Sequence, residues 1–219
     1  MARTTSAESL PPPAGGSATP LYLGGSGSFA VEVAEWAEDA GWRVAGLIEL
    51  LDSGRVGMVV AGAPIVSDRC PLGGAAAVLA IGGERRPHAD RLQRLGWGSS
   101  ALLHPAAHIS RSARIARGAI IAPGAVLGAE AVVGEHALVS RGALVGHHAE
   151  IGAFASLLPG VNVGGHAEIG EDATLGMGSV VVNGARIGAR ATVAAGAVVV
   201  RDVEGGSRVQ GVPARSYTA

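Results

Sequence analysis

The most regular feature of the chain is a six-residue spacing of aliphatic side chains. Every sixth residue from Ile109 is Ile, Leu or Val: Ile109, Ile115, Ile121, Leu127, Val133, Val139, Val145, Ile151, Leu157, Val163, Ile169, Leu175, Val181, Ile187, Val193 and Val199. Four places after each stands a small side chain, Ala in most units, with Val161, Ser179 and Val203 as the departures. A helix of 3.6 residues per turn cannot hold that register, and simple strand alternation needs no small residue at one fixed phase. A triangular coil needs both. Each side is a short strand with one branched aliphatic pointing inward, and the small residue sits where the corner leaves no room. Three six-residue sides make an 18-residue coil, so residues 109–203 predict slightly more than five coils of parallel β-helix, unbroken in register.

Upstream the texture differs. Pro20 to Leu23 reads as a buried strand, followed by the loop Gly24-Gly25-Ser26-Gly27-Ser28. Val31, Val33, Ala34, Trp36 and Ala37 form an approximate helical stripe that ends near Gly41. Arg43 to Leu51 predicts a second strand, Gly57 to Val66 a short one, and Ala75 to Ile81 another before Gly82-Gly83. His88 to Leu95 reads as a helix that Gly96-Trp97-Gly98 breaks. Strands alternating with helices predict a small parallel α/β unit. The expected organisation is a flexible tail at 1–19, the α/β unit at 20–100, a connector at 101–108, the β-helix at 109–203 and a C-terminal tail at 204–219.

Composition narrows the function classes. A net charge of −1 with scattered Lys and Arg argues against nucleic acid and membrane surfaces as partners. The first twenty residues lack the apolar core of a secretory signal, and no run of about 18 apolar residues occurs. A single cysteine, Cys70, excludes an internal disulfide; it reads as an ordinary thiol, and the expected location is cytoplasmic. Gly is abundant (35 residues), but many glycines keep a fixed spacing from the aliphatics, which points to a repeat rather than to low complexity.

The β-helix core is dry, so chemistry belongs at its corners, faces or ends. His147 and His148 occupy the corner of the unit Val145-Gly146-His147-His148-Ala149-Glu150. His166, 18 residues after His148, should stack over it one coil along, and His136 should lie above Phe154 at another corner.

The arrangement resembles the bacterial sugar O-acyltransferase family, which includes sialic acid O-acetyltransferases and N-acetyltransferases of UDP- and GDP-linked amino sugars. The resemblance rests on the segment Leu144-Val145-Gly146-His147, a connector like His104-Pro105, and the ending from Val193 to Val203 followed by Gly211-Val212-Pro213-Ala214-Arg215. It implies a Rossmann-like N-terminal unit, a left-handed hand for the β-helix and a homotrimer. It also implies an acetyl-CoA-dependent acetyltransferase, acting on an amine or hydroxyl of a nucleotide-linked sugar in glycan-related biosynthesis. His147 then becomes the general base, an imidazole suited to accept a proton at neutral pH. His148 stands where the family commonly has an acidic residue that raises the basicity of the base, which leaves Glu150 as a candidate for that role. Ser156 stands where sugar N-acetyltransferases carry a second His on the donor; with Met177 and Ala195 it would contact acetyl-CoA. Ser26, Gly27, Ser28, Glu49 and Gly82 would contact the acceptor, a strand-to-helix turn whose N–H groups suit a phosphate.

Two alternatives remain at this point. One is a γ-carbonic-anhydrase-like zinc enzyme, since His147, His148 and His166 offer enough imidazoles, but the expected ligand pair five residues apart falls on Gly152 and Ala153. No metal cofactor is therefore expected. The other is a non-catalytic β-helix binding protein that has lost its acceptor site.

Overall fold

The computed structural model describes residues 20–69 and 75–217; the expected N-terminal tail and Cys70 lie outside them. The N-terminal unit is a six-stranded sheet in the order β3-β4-β2-β1-β5-β6. Its strands are β1 (Pro20–Gly24), β2 (Arg43–Glu49), β3 (Val59–Val60), β4 (Ala63–Ser67), β5 (Ala76–Leu79) and β6 (Gly98–Ser99). All neighbours are parallel except the β3–β4 hairpin. Helix α1 (Ser28–Asp39) links β1 to β2, and α2 (Arg86–Arg94) links β5 to β6. Two expectations shift. The apolar run at 57–66 is a hairpin rather than one strand, and β2 stops at Glu49 rather than Leu51. The stop has a local cause: the Glu49 carboxylate accepts the N–H groups of Leu51 and Asp52, at 2.9 and 3.0 Å, and turns the chain out of the sheet.

The C-terminal region is a parallel β-helix of two-residue strands on three faces. The first face contains the strands that begin at Leu102, Ile120, Leu138, Ser156, Thr174, Thr192 and Arg208. The second contains those at His108, Val126, Leu144, Asn162, Val180 and Val198; the third, those at Arg114, Val132, Glu150, Glu168 and Arg186. Strands 18 residues apart pair in register, as with Leu144 on Asn162 and Ile151 on Ile169. The inward aliphatics from Ile115 to Val199 and the small residues from Ala119 to Ala197 form one buried column.

Both ends of the β-helix differ from the reading by register. Its first strand is Leu102–Leu103, which pairs with Ile120–Ile121, so the stretch read as connector already belongs to the first coil. Leu103 and Ala107 are in phase with the repeat. At the far end the register contracts. Val203 bridges Ile187 and Val209 pairs with Val193, each 16 residues away instead of 18. Val203 thus extends the inward column rather than filling a corner, and Arg208–Gln210 within the expected tail adds a further strand.

The corners explain the glycines. From Gly118 to Gly196 the fourth residue of each unit adopts positive φ: Glu130, His148, His166 and Gly184 on the edge between the second and third faces, all between 57° and 70°. The second residue faces a different demand. A Cβ on Gly152 would lie 2.6 Å from the backbone N of Glu171 in the next coil, so at this corner the chain has no room for a side chain.

The α/β unit docks on the first face, whose outward residues Leu102, Ile120 and Leu138 are buried against α1 and β1. At its rim the buried Arg85 reaches across to the β-helix. Its guanidinium donates to Ser156 Oγ (2.9 Å), to the carbonyls of Phe154 (2.7 Å) and Ala155 (3.2 Å), and to that of His136 (3.3 Å). Burial lowers its pKa to about 10, still well above neutral, so it remains a cation held by four acceptors. His136 stacks on Phe154 with ring centroids 5.0 Å apart, as its 18-residue offset predicts. Its buried Nδ1 has no hydrogen-bond partner, and burial above all pushes its pKa down to about 4.

Two predictions follow from these contacts. Gly152→Ala should destabilise the chain by about 1–3 kcal/mol because its methyl meets backbone. Gly142→Ala, at φ 63° with open space around its Cβ, should cost only the left-handed conformation, about 1 kcal/mol. Chemical denaturation of both variants checks the order. His136 is neutral in the folded state down to about pH 4, whereas the unfolded imidazole protonates near 6.5. The unfolded chain therefore binds the extra proton between those values, and stability should fall as pH drops through that window. In His136→Asn, which tolerates the positive φ, this part of the acid loss should vanish from thermal melts at pH 7 and pH 4.5.

Candidate active site

The five loop residues expected to hold an acceptor do converge. Ser26, Gly27, Ser28, Glu49 and Gly82 line one open cavity of about 450 Å³, with Phe29, Leu51, Asp52, Arg55, Ala80 and Ile81 among its other walls. Parallel pairing of β1 with β2 and β5 delivers the three strand ends that carry them to one side of the sheet. Gly25, at φ 124°, must be bare because a Cβ there would meet the Ala80 carbonyl at 2.9 Å.

Within this cavity Glu49 is an organiser. Its carboxylate accepts the Ser26 hydroxyl at 2.5 Å in addition to its two backbone donors. Burial raises its pKa, but the hydrogen bonds from Ser26, Asp52 and Leu51 and the charge of Arg55 outweigh it, so the net shift is downward. Glu49 is therefore ionised and already occupied. Arg55, which the sequence pattern did not mark, donates to Ser26 Oγ (2.7 Å) and to the Ser26 carbonyl (3.0 Å) and lies 3.9 Å from Glu49. It places a half-exposed guanidinium on the cavity wall. No residue of the β-helix lines this cavity.

His147 stands on the edge between the second and third faces. Its ring lies over Gly165 one coil along, where a Cβ would sit 2.9 Å from His147 Nε2; the missing side chain makes room for the imidazole. His148, at φ 58°, brings its Nδ1 within 3.2 Å of His147 Nδ1. A neutral His148 can thus accept the His147 Nδ1–H, which leaves the lone pair of His147 on Nε2. His166 closes the group: its ring stacks on His148 at 4.8 Å and stands edge-on to His147 at 5.0 Å. All three rings are exposed.

Other expected members of the site lie elsewhere. Glu150 is on the outer side of the third face beside Glu168, with no hydrogen bond to His147 or His148 among the described residues. Ser156 is buried on the first face with its hydroxyl committed to Arg85, so it is not open to a donor. Met177 and Ala195 are exposed, but on the edge between the first and second faces. That edge is unusually bare: Gly124, Gly142, Gly160, Gly178 and Gly196 occupy all five of its positive-φ positions. One chain therefore presents an imidazole edge, a bare glycine edge and a loop cavity as three separate surfaces.

The model of the bacterial transferase hexapeptide (six repeats) matches residues 166–201. No curated protein sequence matches the chain. Among solved structures, the chain is similar to PerB from Caulobacter crescentus in complex with CoA and GDP-perosamine. Identity is 30%, coverage is 91% of this chain and 97% of that one, and the TM-score is 0.84. It is similar also to the acetyltransferase domain of PglB from Neisseria gonorrhoeae in complex with acetyl coenzyme A, at 28% identity over 92% of this chain and 100% of that one, with a TM-score of 0.82. WeeI from Acinetobacter baumannii matches at 25% identity, 92% and 100% coverage and a TM-score of 0.81. With a relative of 30% identity aligned along nearly its whole length, and with the repeat model matched, the chain belongs to the hexapeptide-repeat sugar acyltransferase family.

Proposed function

We propose that the protein transfers an acetyl group from acetyl-CoA to an amine or hydroxyl of a nucleotide-linked sugar, with His147 as the general base. The observation that carries this reading is the 3.2 Å approach of His148 Nδ1 to His147 Nδ1, which orients a surface imidazole with its Nε2 free. The PerB and PglB structures supply the co-substrate class, since CoA and acetyl coenzyme A are bound in them, and PerB adds GDP-perosamine as the class of acceptor.

In this scheme His147 Nε2 takes the proton of the acceptor as its nitrogen or oxygen attacks the thioester carbonyl. The new bond forms at carbonyl carbon, the C–S bond breaks, and CoA leaves as the thiol once protonated. A positioned base contributes roughly 10²- to 10⁴-fold. His148 serves only while neutral; as a cation it would repel the imidazolium that proton transfer creates.

The loop of the N-terminal unit, read as Rossmann-like, binds the nucleotide portion, with the N-terminus of α1 and Arg55 toward its phosphates. The bare glycine edge with Met177 and Ala195 takes the extended arm of the donor. These surfaces meet when a second copy packs on the second face, whose outward places between the two edges are Val126, Leu144, Val180 and Val198, with Asn162 the polar exception. Leu144 is 41% exposed in the single chain, which favours such cover. Repetition of one such contact around an axis gives the homotrimer.

His147→Ala should reduce acetyl transfer by at least about 100-fold while leaving assembly and CoA binding intact. Release of free CoA thiol, measured against a panel of nucleotide-linked amino sugars, checks this; survival of transfer within tenfold would remove His147 as base. Arg55→Ala should raise the KM for the nucleotide-linked acceptor about tenfold or more, with little change for acetyl-CoA, in keeping with the loss of one charge-assisted phosphate contact. An equal rise for both substrates would argue against a phosphate role.

A further inference from the structure

We infer that His147, His148 and His166 form a binding site for one divalent transition-metal ion, with Zn²⁺ the best match. The accepting nitrogens of the three imidazoles all lie within 4.8 Å of one another, on a single edge of one chain. Zinc binds imidazole at about 2.0–2.1 Å, so two ligands of a tetrahedral site stand about 3.3 Å apart. His147 Nδ1 and His148 Nδ1 already stand 3.2 Å apart. Rotation of these two rings turns both lone pairs toward a shared point, and the third imidazole swings inward; all three rings are exposed, so these movements meet no packing.

The backbone beneath the group is held in place. His148 and His166 occupy equivalent positive-φ positions of successive coils, at 58° and 57°. The His148 N–H donates to the Ala129 carbonyl at 2.8 Å, and the His166 N–H to the His147 carbonyl at 2.9 Å. Ring flexibility is therefore the main freedom lost on binding. The contact between His147 and His148 is the single side-chain hydrogen bond that any of the three makes among the described residues, so little is given up when a metal replaces it. Three neutral nitrogen ligands suit zinc and its neighbours rather than magnesium or calcium, which favour oxygen. The fourth position faces solvent and can take water.

The spacing argument against zinc concerned a different set, a ligand pair five residues apart. The 18-residue coil offers another route, because it lays His166 beside His148 without any local motif. An ion here has a consequence that rests on the acetyl-transfer reading. It would occupy a nitrogen of His147 and fix the ring through it, so the metal inhibits transfer and does not support it.

The test uses the full chain, freed of metal by chelation, titrated with ZnCl₂ by calorimetry in a non-coordinating buffer. One equivalent per chain is expected. His166→Asn, which keeps a residue tolerant of positive φ, should weaken binding by at least about tenfold, since even the loss of a supporting group at a zinc site costs roughly 10- to 100-fold. Co²⁺ should give the intense visible bands of a four-coordinate ion in the native chain, a readout that needs no variant. Absence of stoichiometric Zn²⁺ binding, or equal affinity in a folded His166→Asn, would overturn the site. Metal-free His166→Asn should transfer acetyl at close to the native rate and need at least about tenfold more Zn²⁺ to be inhibited. If Zn²⁺ binds as described while neither chain transfers acetyl groups, the metal site stands and the acetyl-transfer reading fails.

Discussion

Everything in the β-helix depends on how closely one coil lies on the next. Apart from Arg208–Gln210, each strand is only two residues long, so none is stable alone; its ladder hydrogen bonds run to the neighbouring coils. At many corners that ladder brings backbone directly onto backbone. Gly146, Gly152, Gly164 and Gly170 are bare for this reason, each facing the chain of the following coil. The same closeness copies every position to one address 18 residues later. Side chains at equal places in successive coils must then tolerate each other, and this turns three edges of identical backbone into three different surfaces.

The edges diverge by what occupies the positive-φ place. On one edge it is always Gly, which leaves a smooth strip flanked by Met177 and Ala195. On another it is Glu130, His148, His166 and Gly184, and the imidazoles gather there. On the third it is Gly118, His136, Phe154, Asp172 and Arg190, and that edge docks the α/β unit. A left-handed residue costs about 1 kcal/mol or more when it is not Gly. The cost is offset at the docking edge: Phe154 packs into the N-terminal core, carries the Arg86 guanidinium 4.3 Å above its ring, and offers its carbonyl to Arg85. Asp172 receives Arg86 through two hydrogen bonds, at 2.8 and 3.0 Å. Burying Arg85 without a direct carboxylate partner is tolerable because four oxygens share its protons.

What the sequence makes legible is whatever the repeat forces. The inward aliphatics, the small corner residues and the stacking of His136 on Phe154 and His148 on His166 all follow from counting in sixes and eighteens. The first coil was harder to see because Leu102 and Leu103 look like a plain apolar connector before His104-Pro105. Leu102 faces outward yet is fully buried, since the α/β unit covers it. The outward series Leu102, Ile120, Leu138 on one face was the available sign of that cover. Other features leave no local trace. Arg55 reaches Ser26 across 29 positions, a distance in sequence that no motif spans. The contraction at Val203 reads as an ordinary small-residue position until its pairing with Ile187 is known. Ser156 keeps the place of a donor contact in the repeat, but the docked unit brings Arg85 over it, and a tertiary partner cannot be counted from within the repeat.

With His147 read as the base we propose, a His148 neighbour in place of an acid changes the electrostatics more than the geometry. A carboxylate partner would favour the imidazolium of His147 through charge as well as through a hydrogen bond, raising its basicity at the risk of holding it protonated. A neutral imidazole partner provides only the hydrogen bond. When His148 carries its proton on Nε2, its Nδ1 lone pair accepts the His147 Nδ1–H and His147 Nε2 is left to act. The stabilisation of the charged intermediate is correspondingly smaller.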